Sequence, residues 1–185
     1  MSERTSPGQP RFAFLRWAAV TVPFIVLLGI LSARLTPSGE DNPWFAELVK
    51  PDIMPPGIAF PIAWTILYVL MGLALAMILD ARGAARRGPA LALFAAQMML
   101  NLAWTPVFFG MHQVVPALVI IAVLFVLVVI TAVLFGRIRT AAGMLLVPYL
   151  AWLAFAGALL FQFHTLNPNA ASLVPSGSVD QIQIR

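Results

Sequence analysis

A chain of 185 residues with 61% hydrophobic and 10% charged side chains, at a mean hydropathy of +0.93, lies far from soluble domains, where roughly 25% of residues are charged. No water-soluble fold hides that much apolar surface, so the chain reads as an integral membrane protein. The absence of cysteine excludes disulfides, thiolate metal sites and a cysteine nucleophile, and the net charge of +4 rests on arginines in short loops, where membrane orientation explains it without nucleic acid.

In chain order, residues 1–11 are polar, rich in turn formers and expected to form a disordered leader. Arg11 and Arg16 precede an uncharged run from Trp17 to Ala33. A basic start before an apolar run looks like a signal peptide, but the run ends at Arg34 with no small-x-small cleavage pattern. We read a retained first span over about 12–34, bent at Pro23. The loop over 35–56 holds five prolines between Pro37 and Pro56. Each fixes φ and pushes its predecessor towards extended backbone, so the loop is expected to be a stiff lid. Its lid residues are Trp44, Lys50, Pro51, Pro55 and Pro56, and Pro43 to Leu48 is expected to make a short helix lying on the membrane surface.

The second span is placed over 57–79 and ends at Asp80, before a basic loop with Arg82, Arg86 and Arg87. From Ala90 to Gly136 there is no Asp, Glu, Lys or Arg. That is too long for one crossing of ~20 residues and right for two. The break falls at Gly110 to Gln113, giving spans over 90–109 and 114–135. Arg137 and Arg139 form the next loop, the fifth span covers 140–163, and 164–185 reads as a loose tail. The fold class is therefore all-α, a single five-transmembrane-helix bundle over 12–163 with a Pro-rich lid loop between helices 1 and 2. Five spans gather Arg4, Arg11, Arg16, Arg82, Arg86, Arg87, Arg137 and Arg139 on one side. Positive-inside bias makes that side the inner one, with the lid and C-terminus outside.

No charged residue lies deep in any span, which argues against an ion pump or a proton-coupled carrier. There is no HExxH, Walker glycine loop or Gly-x-Ser-x-Gly elbow, and His112 and His164 are too few for a metal site. We therefore expect no catalytic group, no metal and no required cofactor. What remains are stripes at helical spacing. They are Trp64, Tyr68 and Met71; Phe94, Gln97, Asn101, Trp104 and Phe108; and Tyr149, Trp152 and Ala156. Ordinary packing accounts for them, with Gln97 and Asn101 bonding between helices, as does interfacial anchoring of Trp64 and Trp104. So does a shared cavity, in which the rings stack on a flat apolar ligand while Asn101 and indole N–H groups orient it. Gly29-x-x-x-Ala33 offers a small-residue helix contact.

Five pieces carry a resemblance: Trp44-Phe-Ala-Glu-Leu-Val-Lys50-Pro51, Pro55-Pro56, Ala63-Trp64-Thr-Ile-Leu-Tyr68 with Met71, Asn101-Leu-Ala-Trp104-Thr-Pro-Val-Phe108-Phe109-Gly110, and Pro148-Tyr149-Leu-Ala-Trp152-Leu-Ala-Phe-Ala156. In order and spacing, over about residues 40–160, the chain resembles the translocator protein family, also called tryptophan-rich sensory proteins or peripheral-type benzodiazepine receptors (TspO/MBR). The resemblance implies a five-helix membrane protein whose cavity is closed by the first long loop. It implies porphyrin (protoporphyrin IX) or haem, sterols and synthetic benzodiazepine-type compounds as ligands. Membrane lipid, a small hydrophobic ligand and a homodimer partner are implied as well, in a bacterial or mitochondrial outer membrane. Matching pocket residues are Trp64, Asn101, Trp104, Trp152 and Ala156.

Three departures carry expectations. The family's loop reads Lys-Pro-x-Trp-x-Pro-Pro-x-Trp, and Ile53 and Ile58 stand at its tryptophans, so a ligand under the lid is expected to lose two stacking surfaces. Leu159-Leu160 replaces a Leu-Asn and removes a polar group. No basic residue follows Tyr149 before Arg185, so no sterol site of the motif type is expected. The expected function is a membrane ligand-binding or sensor protein for tetrapyrroles or similar flat hydrophobic molecules, in a bacterial membrane. A porphyrin-degrading enzyme and a tetrapyrrole or sterol transporter are the alternatives.

Overall fold

The computed structural model describes residues 9–173. Five of its helices are long and apolar enough to cross a membrane, and no strand occurs among the described residues. In chain order the α-helices are α1 (Gln9–Leu35), the short α2 (Pro43–Glu47), α3 (Ala59–Asp80), α4 (Arg87–Thr105) with a wide turn at Pro106–Gly110, α5 (Val114–Ile138), the short α6 (Thr140–Met144) and α7 (Val147–Leu166). Helix α1 packs on α3 and α4, α4 on α5, α5 on α6 and α7, and α6 on α3. The spans thus circle the bundle in the order first, second, fifth, fourth, third.

Three helix limits differ from the expected course, and the differences have physical causes. Helix α1 starts at Gln9, so it takes in the end of the expected leader; residues 1–8 lie outside the described residues. The fifth span is two helices rather than one. Pro148 has no N–H to give the carbonyl of Met144, and the chain breaks at Leu145 and Leu146 before restarting as α7. Helix α7 runs on to Leu166.

Close helix approach explains the tightest contact, between α1 and α3. A Cβ built on Gly72 would lie 2.7 Å from the Cα of Val22, and one on Gly29 would run into the Tyr68 ring. Into this gap Thr21 Oγ1 donates to the Gly72 carbonyl at 2.8 Å, a small-residue and hydroxyl device suited to lipid, where packing replaces the hydrophobic effect. Gly29 of the small-residue pattern is thus used inside the chain, while Ala33 stays exposed.

Proline also shapes the lid end. Pro106 cannot donate to the Leu102 carbonyl, and Ser32 Oγ does so instead at 3.2 Å. The turn then widens, with Met111 N–H donating to the Pro106 carbonyl at 2.9 Å. At the opposite end of the bundle, Arg87 donates to the Ile78 and Leu79 carbonyls, neutralising the negative end of α3. Arg139 pairs with Asp80 there at 2.8 Å.

Candidate ligand-binding site

The three stripes do face inward. Helix α4 carries Asn101 into the centre of the bundle, where its Oδ1 accepts from the Tyr68 hydroxyl at 3.1 Å and its Nδ2 donates to the Tyr149 hydroxyl at 2.8 Å. One amide therefore ties the second, third and fifth spans together. An amide at this depth needs such partners, because lipid offers none. Gln97, one turn away and fully buried, places its Nε2 4.0 Å from Met71 Sδ and leaves its Oε1 without a partner.

Around this bridge the rings form two groups. Trp64 stacks on Tyr68 at 5.4 Å and meets Tyr149 and Trp152 edge-on at 6.2 and 6.3 Å. Trp152 in turn touches Phe60 and Phe155. The second group lies under the lid, where Trp104 stacks on Phe108 at 5.1 Å. Phe60, Phe155 and Ala156 pack against this lid-side cluster together with Trp104, so Trp152 and Trp104 stand on either side of the seam. The indole Nε1 atoms of both are buried and have no acceptor. In this conformation the rings of the second and fifth spans meet one another, so the expected cavity is taken up by the rings. Two hollows, of about 220 and 290 Å³, lie elsewhere. One is an apolar cleft between α1 and α4, and the other a polar one between the lid and the end of α7. None of the ring residues lines either.

The lid is built from capping chemistry. Asn42 Oδ1 accepts from Phe45 N–H at 3.0 Å to start α2, with Pro43 at its first position, the usual N-cap arrangement. Its Nδ2 reaches the carbonyl of Phe109, at 3.0 Å, in the wide turn after α4. Lys50 folds its ammonium back onto the carbonyls of Phe45, Ala46 and Leu48 and over the Phe45 ring at 4.5 Å. Pro51 is buried, Pro55 half-buried and Pro56 exposed.

Three expectations about this region are corrected. Helix α2 is not a helix that lies free of the bundle. It drives Trp44 (1% exposed) and Phe45 into the bundle, because Trp44 stacks on His112 at 4.6 Å and meets Phe108 edge-on at 5.3 Å, while Phe45 packs on Phe109 and Phe163. The stretch after α7 is not loose up to Leu173. Ala170 accepts from Trp44 Nε1 at 2.7 Å. Asn167 accepts from Val49 N–H at 2.8 Å and donates to the carbonyls of Val49 and Phe163 at 3.0 Å. Residues 174–185 lie outside the described residues. Finally, Ile53 and Ile58 are exposed, so neither faces the interior, and the change from tryptophan takes no stacking surface from it. Leu159 and Leu160 are both buried in the lid-side cluster.

Asn42, His112 and Asn167 were not among the expected site residues. The Asn-Pro start of α2 was a readable signal for the first. Nothing local marks the other two, whose partners in the lid lie more than sixty residues away in the chain. Replacing Asn167 by leucine removes the partner of the Val49 N–H and carbonyl, and with both bonds part-buried each lost bond costs about 0.5–1.5 kcal/mol. We expect the Val49 amide to exchange with solvent about tenfold faster or more, with helix-core amides unchanged, as hydrogen-exchange mass spectrometry would register.

Among the described residues no cluster of three or more His, Asp or Glu side chains could hold a metal ion. Comparison with known proteins points one way. A family model described as the TspO/MBR family matches residues 19–166. A tryptophan-rich protein TspO of Chlorobaculum tepidum is 38% identical over 151 residues, covering 81% of this chain and 95% of the relative. A tryptophan-rich sensory protein of Cereibacter sphaeroides is 40% identical, covering 79% and 92%, and a Bos taurus translocator protein is 39% identical, covering 75% and 83%. With the five-span ring, the Asn101 bridge and the plugged lid in view, the chain belongs to the TspO/MBR family.

Proposed function

We propose that this protein is a ligand-binding, sensor-like membrane protein that takes up a tetrapyrrole or a similarly flat apolar molecule between Trp64, Trp152 and Trp104. The observation that carries this reading is the pair of buried indole N–H groups, on Trp104 and Trp152, that have no acceptor. Buried donors are almost always paired, and leaving one unpaired costs about 1–3 kcal/mol. An incoming ligand with acceptor atoms at its edge offsets that cost, while its face stacks on the rings. Kinship with sensory and translocator proteins supports the same reading. Asn101 is largely spent on the two tyrosines, so its part is to hold the rings in place.

Titration of the purified protein with protoporphyrin IX, followed by tryptophan quenching, tests this directly. The double variant Trp64→Ala, Trp152→Ala is expected to bind about tenfold more weakly or worse, consistent with ring contacts worth ~0.5–1.5 kcal/mol each beyond buried area. Unchanged affinity in that variant would refute the site.

A further inference from the structure

The lid has two edges of opposite character. Glu40 and Asp41 stand exposed on its first turn, while Lys50 is folded inward onto carbonyls. Beyond Asp52 the sequence carries no charge from Ile53 to Leu79, so the end of the lid and the two residues that lead into α3 belong to the same uncharged run as the second span. Two of the large apolar side chains there turn outward, Ile53 at 42% and Ile58 at 68% exposed, while Met54 between them packs on the lid-side cluster. Ile58 then begins a stripe with Ile62 and Ile66, both 54% exposed, four residues apart on one face of α3.

Depth follows from helix length. Helix α3 is 22 residues long, about 33 Å at 1.5 Å per residue, or about 31 Å along the membrane normal with an average tilt. Its far end is fixed by Asp80, paired with Arg139. Measured from that charge, Ile58 falls at the far edge of a hydrocarbon layer ~30 Å thick. A charged or hydrated partner has nothing to meet on this face, whereas the lipid contact of α3 continues onto it without a step.

We propose that the Ile53–Ile58 segment of the lid is embedded in the lipid leaflet on the lid side, so that the lid is clasped by the bundle on its inner edge and by acyl chains on its outer one. Lid movement then disturbs lipid as well as protein contacts. The surface is separate from the proposed ligand site, and its test does not depend on any ligand binding.

The absence of native cysteine makes the experiment direct. Single variants Ile53→Cys, Ile58→Cys, Ile66→Cys and Glu40→Cys are labelled with a small fluorophore, reconstituted into phosphatidylcholine vesicles, and quenched with iodide in water or with a lipid carrying a nitroxide high on its acyl chain. Labels at 53 and 58 are expected to follow the lipid-facing control at 66, quenched about threefold or more by the nitroxide lipid relative to position 40 and correspondingly shielded from iodide. Iodide quenching at 53 or 58 equal to that at 40 overturns the proposal. Shielding from both quenchers also overturns it, because a second protein copy would then cover the face.

Discussion

Trp44→Ala is expected to unseat the lid. The side chain is fully buried, stacked on His112, set edge-on to Phe108, and donates to the Ala170 carbonyl. Truncation empties an indole-sized space that Phe108, Leu159 and Phe163 cannot fill without leaving their own contacts. Buried Trp or Phe to Ala changes cost about 3–5 kcal/mol, and the Ala170 carbonyl loses its donor as well. Trp44→Phe keeps most of the ring packing and loses only the hydrogen bond, so it should retain the greater part of the stability. The expected result is protease cutting within 49–58 that is fast in the alanine variant, slight in the phenylalanine one and absent in the parent. If the proposed function holds, ligand release quickens in the same order. Equal protection of all three proteins would show that the lid is held elsewhere.

Gly72→Leu is expected to do the most damage to the bundle as a whole. A Cβ alone at this position falls 2.7 Å from backbone Cα of Val22, and backbone cannot swing aside as a side-chain tip can. Helix α1 must move off α3, which removes the Thr21 bond to the Gly72 carbonyl and the seat of Tyr68 against Gly29. Overpacking usually costs about 1–3 kcal/mol, and here the lost hydroxyl bond adds about 1 kcal/mol. Because Tyr68 also holds Asn101, the disturbance reaches the aromatic site although residue 72 does not touch it. A fall in thermal midpoint in detergent that exceeds that of Gly72→Ala, together with weakened protoporphyrin quenching, is the expected pair of readings. A leucine variant as stable as the parent would mean that α1 and α3 cross more loosely than their backbones indicate.

The number of spans was legible because lipid leaves few choices. Each crossing needs about 20 apolar residues, and the arginine loops punctuate them, so the uncharged run from Ala90 to Gly136 had to be two. The wide turn and the left-handed His112 (φ 57°) sit where Gly110 to Gln113 broke that run. The inward faces were readable too, since Trp64, Tyr68, Asn101, Trp104, Tyr149 and Trp152 repeat at helical spacing. What periodicity could not convey is which polar atoms are already spent. Asn101 was open to two readings, a bond between helices or a ligand-orienting group, and it bridges two tyrosines, a pairing that depends on how far apart α3, α4 and α7 stand. The break in the fifth span was marked by Pro148, but apolar composition alone ran through it. Ile53 and Ile58 were misjudged for a related reason: a loop has no fixed period, so the side each residue shows depends on how Trp44 and Asn42 seat the lid.

Asn167 and Ala170 have a practical meaning for anyone building variants of this chain. They lie just past the last membrane crossing, where a truncation or fusion junction would ordinarily be thought harmless. A reporter spliced directly behind Leu166 would discard both holdfasts of the loop on the far side of the sequence. The product would still insert and still carry every ring of the site, yet the loosened lid would belong to the cloning junction.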